Sequence, residues 1–252
     1  MTVDAGTATT IVNPPRVTLR APVSLFHHEL VTKDYLLLQF HAAAALQLQF
    51  GTQRHELAAT SDDRLIASPY NDPGNLLDLK SLETPYQLLA KALTIFKPIR
   101  DDYAVAPYIE SFNWQAVVDF LRDLSIAEGY QWKRQRFYVV TFRSTLKPVI
   151  DNQRLHDLDY HSHQEAMASG GLLKYWFGAK NEKHQNLATF LETDVRNRRL
   201  EKQRGCKGRR HWPWHKQARA AVGAMYDNIV FKTLALVIDD DASSWEISDW
   251  TD

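Results

Sequence analysis

Arg136-Phe137-Tyr138-Val139-Val140-Thr141-Phe142-Arg143 is the stretch that decides the fold. It is dense in β-branched and aromatic residues, which suit a pleated, half-buried surface, and it reads as a strand. Working outward toward the C-terminus, His156 to Ser169 reads as a helix ended by Gly170-Gly171. Leu172 to Phe177 is again strand-like and runs into Gly178, and Leu187 to Phe190 reads as the start of its hairpin partner. Residues 215 to 226 form a helix through Ala218, Ala221, Val222 and Met225, followed by Ile229 to Ile238 as a last strand. On the N-terminal side Asn113 caps a helix with Val117, Val118, Phe120, Leu121 and Leu124 on its apolar face and Gly129 at its stop, and Tyr103 to Phe112 reads as a strand. The order is strand, helix, strand, helix, strand, strand, helix, strand. That is an α+β order, with helices covering one face of an antiparallel sheet.

Further upstream, Thr84 is read as an N-cap with Pro85 at the first helical position, and Leu88, Leu89, Ala92, Leu93 and Phe96 share one stripe. Residues 60 to 85 carry Ser61-Asp62-Asp63, Ser68-Pro69 and Asn71-Asp72-Pro73-Gly74, the chemistry of turns and irregular loop. Val17, Leu19, Leu36, Leu38, Phe40, Leu46, Leu48 and Phe50 recur at period 2 and predict strands, although Ala44 to Leu46 also suits a helix. Residues 1–15, small and polar and ending in Pro14-Pro15, read as a flexible tail before one domain spanning 16–252.

Composition bounds the function classes. The 252 residues hold 30 basic and 30 acidic side chains, so no overall field gathers nucleic acid or anionic membrane. Between Arg196 and Arg210, however, eight Lys or Arg face Glu201 alone, which leaves the remainder net acidic by seven. A lone Cys206 makes no internal disulfide and no cysteine-based metal site by itself. No targeting segment and no apolar run near the roughly 20 residues of a membrane span is apparent, so the expected location is the cytoplasm, with the nucleus as the alternative.

The segments Leu82-Glu83-Thr84-Pro85-Tyr86-Gln87-Leu88-Leu89, Gly170-Gly171-Leu172-Leu173-Lys174-Tyr175-Trp176-Phe177-Gly178, Asn186-Leu187-Ala188-Thr189 and Trp214-His215-Lys216 resemble an uncharacterised protein family found in fungi. The likeness covers most of the chain after residue 16 and implies no mechanism. The half from Tyr103 onward is also similar, in element order, to dimeric α+β-barrel domains of the antibiotic-biosynthesis-monooxygenase type. That second likeness implies a ferredoxin-like or half α+β-barrel fold, a homodimer and a cavity for a polycyclic aromatic, a haem or a small metabolite, but fold does not carry function. After Thr189 the chain departs from the fungal pattern. Residues of about 190 to 211 are therefore read as a divergent insert or a mispredicted exon boundary, the latter implying a shortened strand.

Three groups of residues could carry chemistry. In Asp157-Leu158-Asp159-Tyr160-His161-Ser162-His163-Gln164-Glu165, helical spacing stacks Asp157, His161 and Glu165 and pairs Asp159 with His163. This suits a metal site or a carboxylate-oriented His base, against the stronger plain reading of a solvated helix face. Phe137, Tyr138, Phe142, Tyr175, Trp176 and Phe177, with Arg143 or Lys174 at the mouth, could hold a small aromatic or anionic ligand, although such residues are more often core. The basic run ending in His211-Trp212-Pro213-Trp214-His215 could contact single-stranded nucleic acid, which a charged surface insert explains as well. There is no Gly-x-Ser-x-Gly elbow, no phosphate-binding loop and no dinucleotide fingerprint, so no reaction and no cofactor is named. The leading expectation is a small-molecule-binding protein or cofactor-independent enzyme, with Arg143, Lys174, Tyr175, Trp176, His161 and His163 as ligand-binding residues and no metal. The alternative is an interaction protein that uses residues 196–210 to contact nucleic acid or protein.

Overall fold

The computed structural model describes residues 64–70, 72–193 and 213–251, together with Lys33, Leu37 and Phe40. In chain order its regular elements are β1 (Arg64–Leu65), β2 (Leu77–Asp78), α1 (Thr84–Ala92), α2 (Tyr108–Ser111), α3 (Trp114–Ala127), β3 (Gln135–Leu146), α4 (Asn152–Ser169), β4 (Leu172–Phe177), β5 (Gln185–Glu192), α5 (Pro213–Met225), β6 (Tyr226–Ile238) and β7 (Trp245–Asp249). Single 3-10 turns cover Pro73–Asn75, Leu79–Ser81, Leu93–Ile95 and Asp240–Ala242.

The β-branched and aromatic stretch around Val139 becomes the central strand of a five-stranded antiparallel sheet in the order β4-β5-β3-β6-β7. Val139 pairs with Leu191 on one side and Leu234 on the other, while Phe142 lies between Ala188 and Phe231. From β3 to β6 the connectivity is strand, helix, strand, strand, helix, strand, with every neighbouring pair antiparallel.

Alternation divides the sheet into two faces. Phe137, Val139, Leu187, Leu191 and Leu236 enter the main core with Leu88 and Leu89 of α1 and Val117, Leu121 and Leu124 of α3. Fully burying each such aliphatic or aromatic side chain contributes about 1.5–3 kcal/mol. Tyr175 and Phe190 point the other way, onto Tyr160, Ala166 and Met167 of α4. A bulge between Leu172 and Lys174 inserts Leu173 into β4. Leu172 and Tyr175 thereby face α4, whereas Leu173 and Trp176 join the main core. Helix α5 lies along α4, with Trp214 stacked on His161 at 4.1 Å and Arg154 donating to Gln217. The helices that connect sheet strands thus pack as one layer, and the opposite face is covered as well, by α1 and α3.

Several expectations change. Tyr103 to Phe112 is a turn and the short helix α2 rather than a strand. Thr84 is the first helical residue of α1, with Glu83 at the N-cap. Leu37 and Phe40 are helical where a strand was expected, and the rest of the alternating N-terminal pattern and the expected tail lie outside the described residues. So do residues 194–212, including the basic run and Cys206. Strand β5 has eight residues and pairs with β3 and β4. Trp245–Asp249 adds a strand that the sequence reading passed over. Among the described residues no helix is long and apolar enough to cross a membrane.

Candidate functional site

The densest polar chemistry lies where α4 crosses β4 and the loop of residues 66–82. Helical spacing puts Asp159 and His163 on one stripe of α4, and Tyr175 rises to meet them from β4. Tyr70 donates to Asp159 Oδ2 at 2.5 Å and Tyr175 donates to Oδ1 at 2.7 Å. Burial holds the Asp159 carboxyl above the ordinary carboxylate range, against the two phenol bonds that pull it back down. Burial, with the Asp159 charge adding to it, also raises Tyr70 and Tyr175, so both phenols remain donors.

Next to this cluster, Asp72-Pro73-Gly74 initiates the 3-10 turn that carries Asn75 to His163. The two side chains meet at 2.7 Å, Nδ1 to Oδ1. An amide oxygen only accepts, so Nδ1 carries the proton and Nε2 is left with a lone pair. Burial depresses the imidazole to about 4, which keeps it neutral near pH 7. His163 is 2% exposed and Asn75 0%. Even so, among the described residues His163 Nε2 and Asn75 Nδ2 have no hydrogen-bond partner. The His163 ring stacks on Tyr175 at 5.4 Å and leans on Tyr70 at the same separation, which fixes its plane.

A separate hollow of about 200 Å³, lined by neither His163 nor Asn75, lies between the 74–82 loop and the end of α4. Its walls include Gly74, Leu76, Asp78, Ser81, Met167 and Gly171. Gly74 and Leu76 flank Asn75, and Met167 is one helical turn beyond His163.

The six residues singled out from sequence do not converge on one cavity. Tyr175 and His163 come together in this cluster. Trp176 is core, packed edge-on against Phe112 at 5.0 Å and Tyr103 at 5.3 Å. Lys174 is buried, its ammonium 3.7 Å above the Phe40 ring, and burial holds its pKa well below the usual lysine range. Arg143 donates to the carbonyls of Tyr103, Ala104 and Ala106, where it ties down a turn rather than guarding a mouth. His161 stacks on Trp214 and meets Gln164 at 3.2 Å.

The carboxylates of residues 157–165, weighed from sequence as a less favoured metal or acid–base row, each have a different partner. Asp157 accepts from Gln153, Glu165 accepts from Trp214 N at the start of α5, and Asp159 bonds the two tyrosines. Among the described residues no three His, Cys, Asp or Glu are placed to hold a metal. Tyr70 and Asn75 were not singled out from sequence. Both lie in a stretch whose only local signal is turn composition, about ninety positions from the groups they meet.

Two comparisons bear on this geometry. A family model described as PB2B2.08-like matches residues 66–249. The UPF0643 protein PB2B2.08 of Schizosaccharomyces pombe is 32% identical over 199 residues, which is 75% of this chain and 86% of that protein.

Proposed function

This chain belongs to the PB2B2.08-like family, and from its geometry we propose that it is a small-molecule-binding protein whose ligand is held where α4, β4 and the 66–82 loop meet. The observation that carries this reading is the buried cluster of Tyr70, Asp159, His163 and Tyr175, in which His163 Nε2 and the neighbouring Asn75 Nδ2 have no hydrogen-bond partner among the described residues. Leaving such groups unsatisfied costs about 1–3 kcal/mol each, so a ligand that pairs with either one stabilises the folded chain. The surrounding rings of Tyr70, Tyr160 and Tyr175 favour a ligand with an aromatic body. The strand order from β3 to β6 supports a ferredoxin-like arrangement. A homodimer, within this reading, forms away from the sheet face that α1 and α3 cover.

A thermal-shift screen with aromatic polyketides, flavin, haem and divalent metals tests the reading, because a ligand specific to the folded chain raises its apparent stability. A hit whose effect is lost in Tyr175→Ala supports it. A screen without a hit, or a hit indifferent to Tyr175, Tyr70 and His163, rejects it. The alternative, contact with nucleic acid or protein through residues 196–210, rests on a segment outside the described residues. Salt-titrated RNA and DNA binding by the whole chain decides it.

A further inference from the structure

We propose that two copies of this chain join edge to edge along residues 228–232 of β6, running antiparallel about a two-fold axis at Val230, so that their sheets become one. The joint lies across the sheet from the ligand cluster on β4 and shares no residue with it.

The open edge comes from a mismatch in strand length. Strand β6 runs from Tyr226 to Ile238, but β7 pairs only with residues 234–238. Thr233 is the last position closed, its carbonyl accepting from Trp250 N. A bulge sets the other limit: Thr145 pairs with Asn228 and Leu146 with Tyr226, which leaves Asp227 out of the ladder. Between these limits β3 is the only neighbouring strand among the described residues. Thr233 directs its backbone groups away from β3, and in a regular antiparallel strand that direction recurs at every second residue. Ile229 and Phe231 therefore present their N–H and C=O groups on the open side.

The same edge is apolar. Val230 is 55% exposed and Phe231 69%. On the face toward α4, Phe231 ends a file of rings, 6.2 Å from Phe142, which is itself 5.5 Å from Phe190. Val230 lies on the opposite face.

A second copy is the occupant because the segment complements itself. Antiparallel pairing about Val230 sets Ile229 opposite Phe231 of the second copy, and Phe231 opposite that copy's Ile229. Both are hydrogen-bonded pairs, each exchanging two backbone bonds. Val230 meets its own counterpart on the axis, at a non-hydrogen-bonded position where side chains come closest. Asn228 stands opposite Lys232, and the acidic end of the segment, Asp227, comes beside the copy's basic end. Lys232 keeps its bond to Asp249 at 2.6 Å and has further donors to give. Moving the axis back to Ile229 would set Phe231 against Asp227. Moving it on to Phe231 would require the edge of Thr233, which Trp250 already occupies.

So short a joint falls below the about 800 Å² per partner of a standard interface, and the dimer therefore forms with rising concentration instead of being permanent. Sedimentation velocity of the whole chain from about 1 to about 300 µM should show the molar mass climbing toward twice that of the chain. Val230→Lys opposes two ammonium groups across the axis and Val230→Glu two carboxylates, so each variant should stay monomeric. An equimolar mixture of the two should regain the dimer, at least about tenfold tighter than either variant alone. Val230 is exposed in the single chain, so both variants should keep the parent's melting temperature in dilute solution. If one melts early, Phe231→Thr, also at an exposed position, replaces it, with loss of the dimer expected. A dimer that survives these variants, or a mixture that fails to regain it, overturns the proposal. So does a parent chain that stays monomeric over the whole range, which would leave the edge to an extended segment of another protein.

Discussion

Tyr175 reaches across from the sheet to bond Asp159 of α4 at 2.7 Å, while its ring stacks on Phe190 at 4.3 Å and 11°. One side chain thus joins a helix, an edge strand and the neighbouring strand. Tyr175→Phe keeps the stack and deletes the bond, leaving the carboxylate with Tyr70 alone. The expected loss is about 1.5–3 kcal/mol, the usual worth of a hydrogen bond to a charged group, read from the urea midpoint at neutral pH. A midpoint equal to that of the parent chain would show that the carboxylate is not held by Tyr175.

The acid limb of stability should carry the signature of His163. Its folded value is about 4 against an ordinary 6.5, so between those values the unfolded chain binds more protons and stability falls as pH falls. The full contribution is present above pH 6.5, is lost by about pH 4, and amounts to about 3 kcal/mol. Asp159 works in the opposite sense: its raised value means stability is lost as pH rises through the window just above the ordinary carboxylate range. Urea unfolding across pH 4 to 7 in an Asp159→Asn background isolates the histidine slope, and His163→Gln should flatten it. An unchanged slope in that variant would assign the acid sensitivity elsewhere.

Arg143 is predicted to act as a clasp. Arg143→Met removes the donors to Tyr103, Ala104 and Ala106 but keeps an aliphatic stem on the sheet. A stability loss of about 2–3 kcal/mol is expected. Faster amide hydrogen exchange should appear at Val105 and Ala106, whose N–H groups bond Asp102. Ligand binding at the α4 cluster should be untouched, and a variant that lost binding while keeping its stability would restore Arg143 to the site.

Gly178 has no room for a side chain. A Cβ there would fall on the Tyr103 ring, whose hydroxyl bonds the next carbonyl, that of Ala179. Gly178→Ala should cost about 1–3 kcal/mol as overpacking. Tyr103→Ala in the same chain should recover part of that loss in a double-mutant cycle, and strictly additive effects would contradict the close approach.

How much of this was legible follows from where the information is stored. The central strand and α3 could be read because local chemistry, β-branched density in one and a 3.6-residue apolar stripe with Asn113 before it in the other, agrees with the final packing. The segment from Tyr103 misled for a physical reason. Ala104, Ala106 and Tyr108 are buried and Val105, Pro107 and Ile109 exposed, the alternation of a strand. Its carbonyls, though, are satisfied by the Arg143 guanidinium instead of a ladder. Asn113 was placed correctly before its helix, yet its side chain accepts from Lys97 N and donates to Ile95 O, fastening the preceding turn rather than the helix. Trp245, Ile247 and their exposed neighbours did carry a period-2 signal, in a segment too short to stand out. The Asn75–His163 meeting had none, since composition in a loop says nothing of a partner on a distant helix.

The backbone of Tyr175 has its own consequence. Its N–H donates to the carbonyl of Ala67. The 66–70 stretch therefore blunts the outer rim of β4, occupying the place from which a foreign strand would begin to add. Growth of the sheet into a larger ribbon is capped at that end by the chain's own backbone, and the phenol beneath it is kept from solvent by the same few residues.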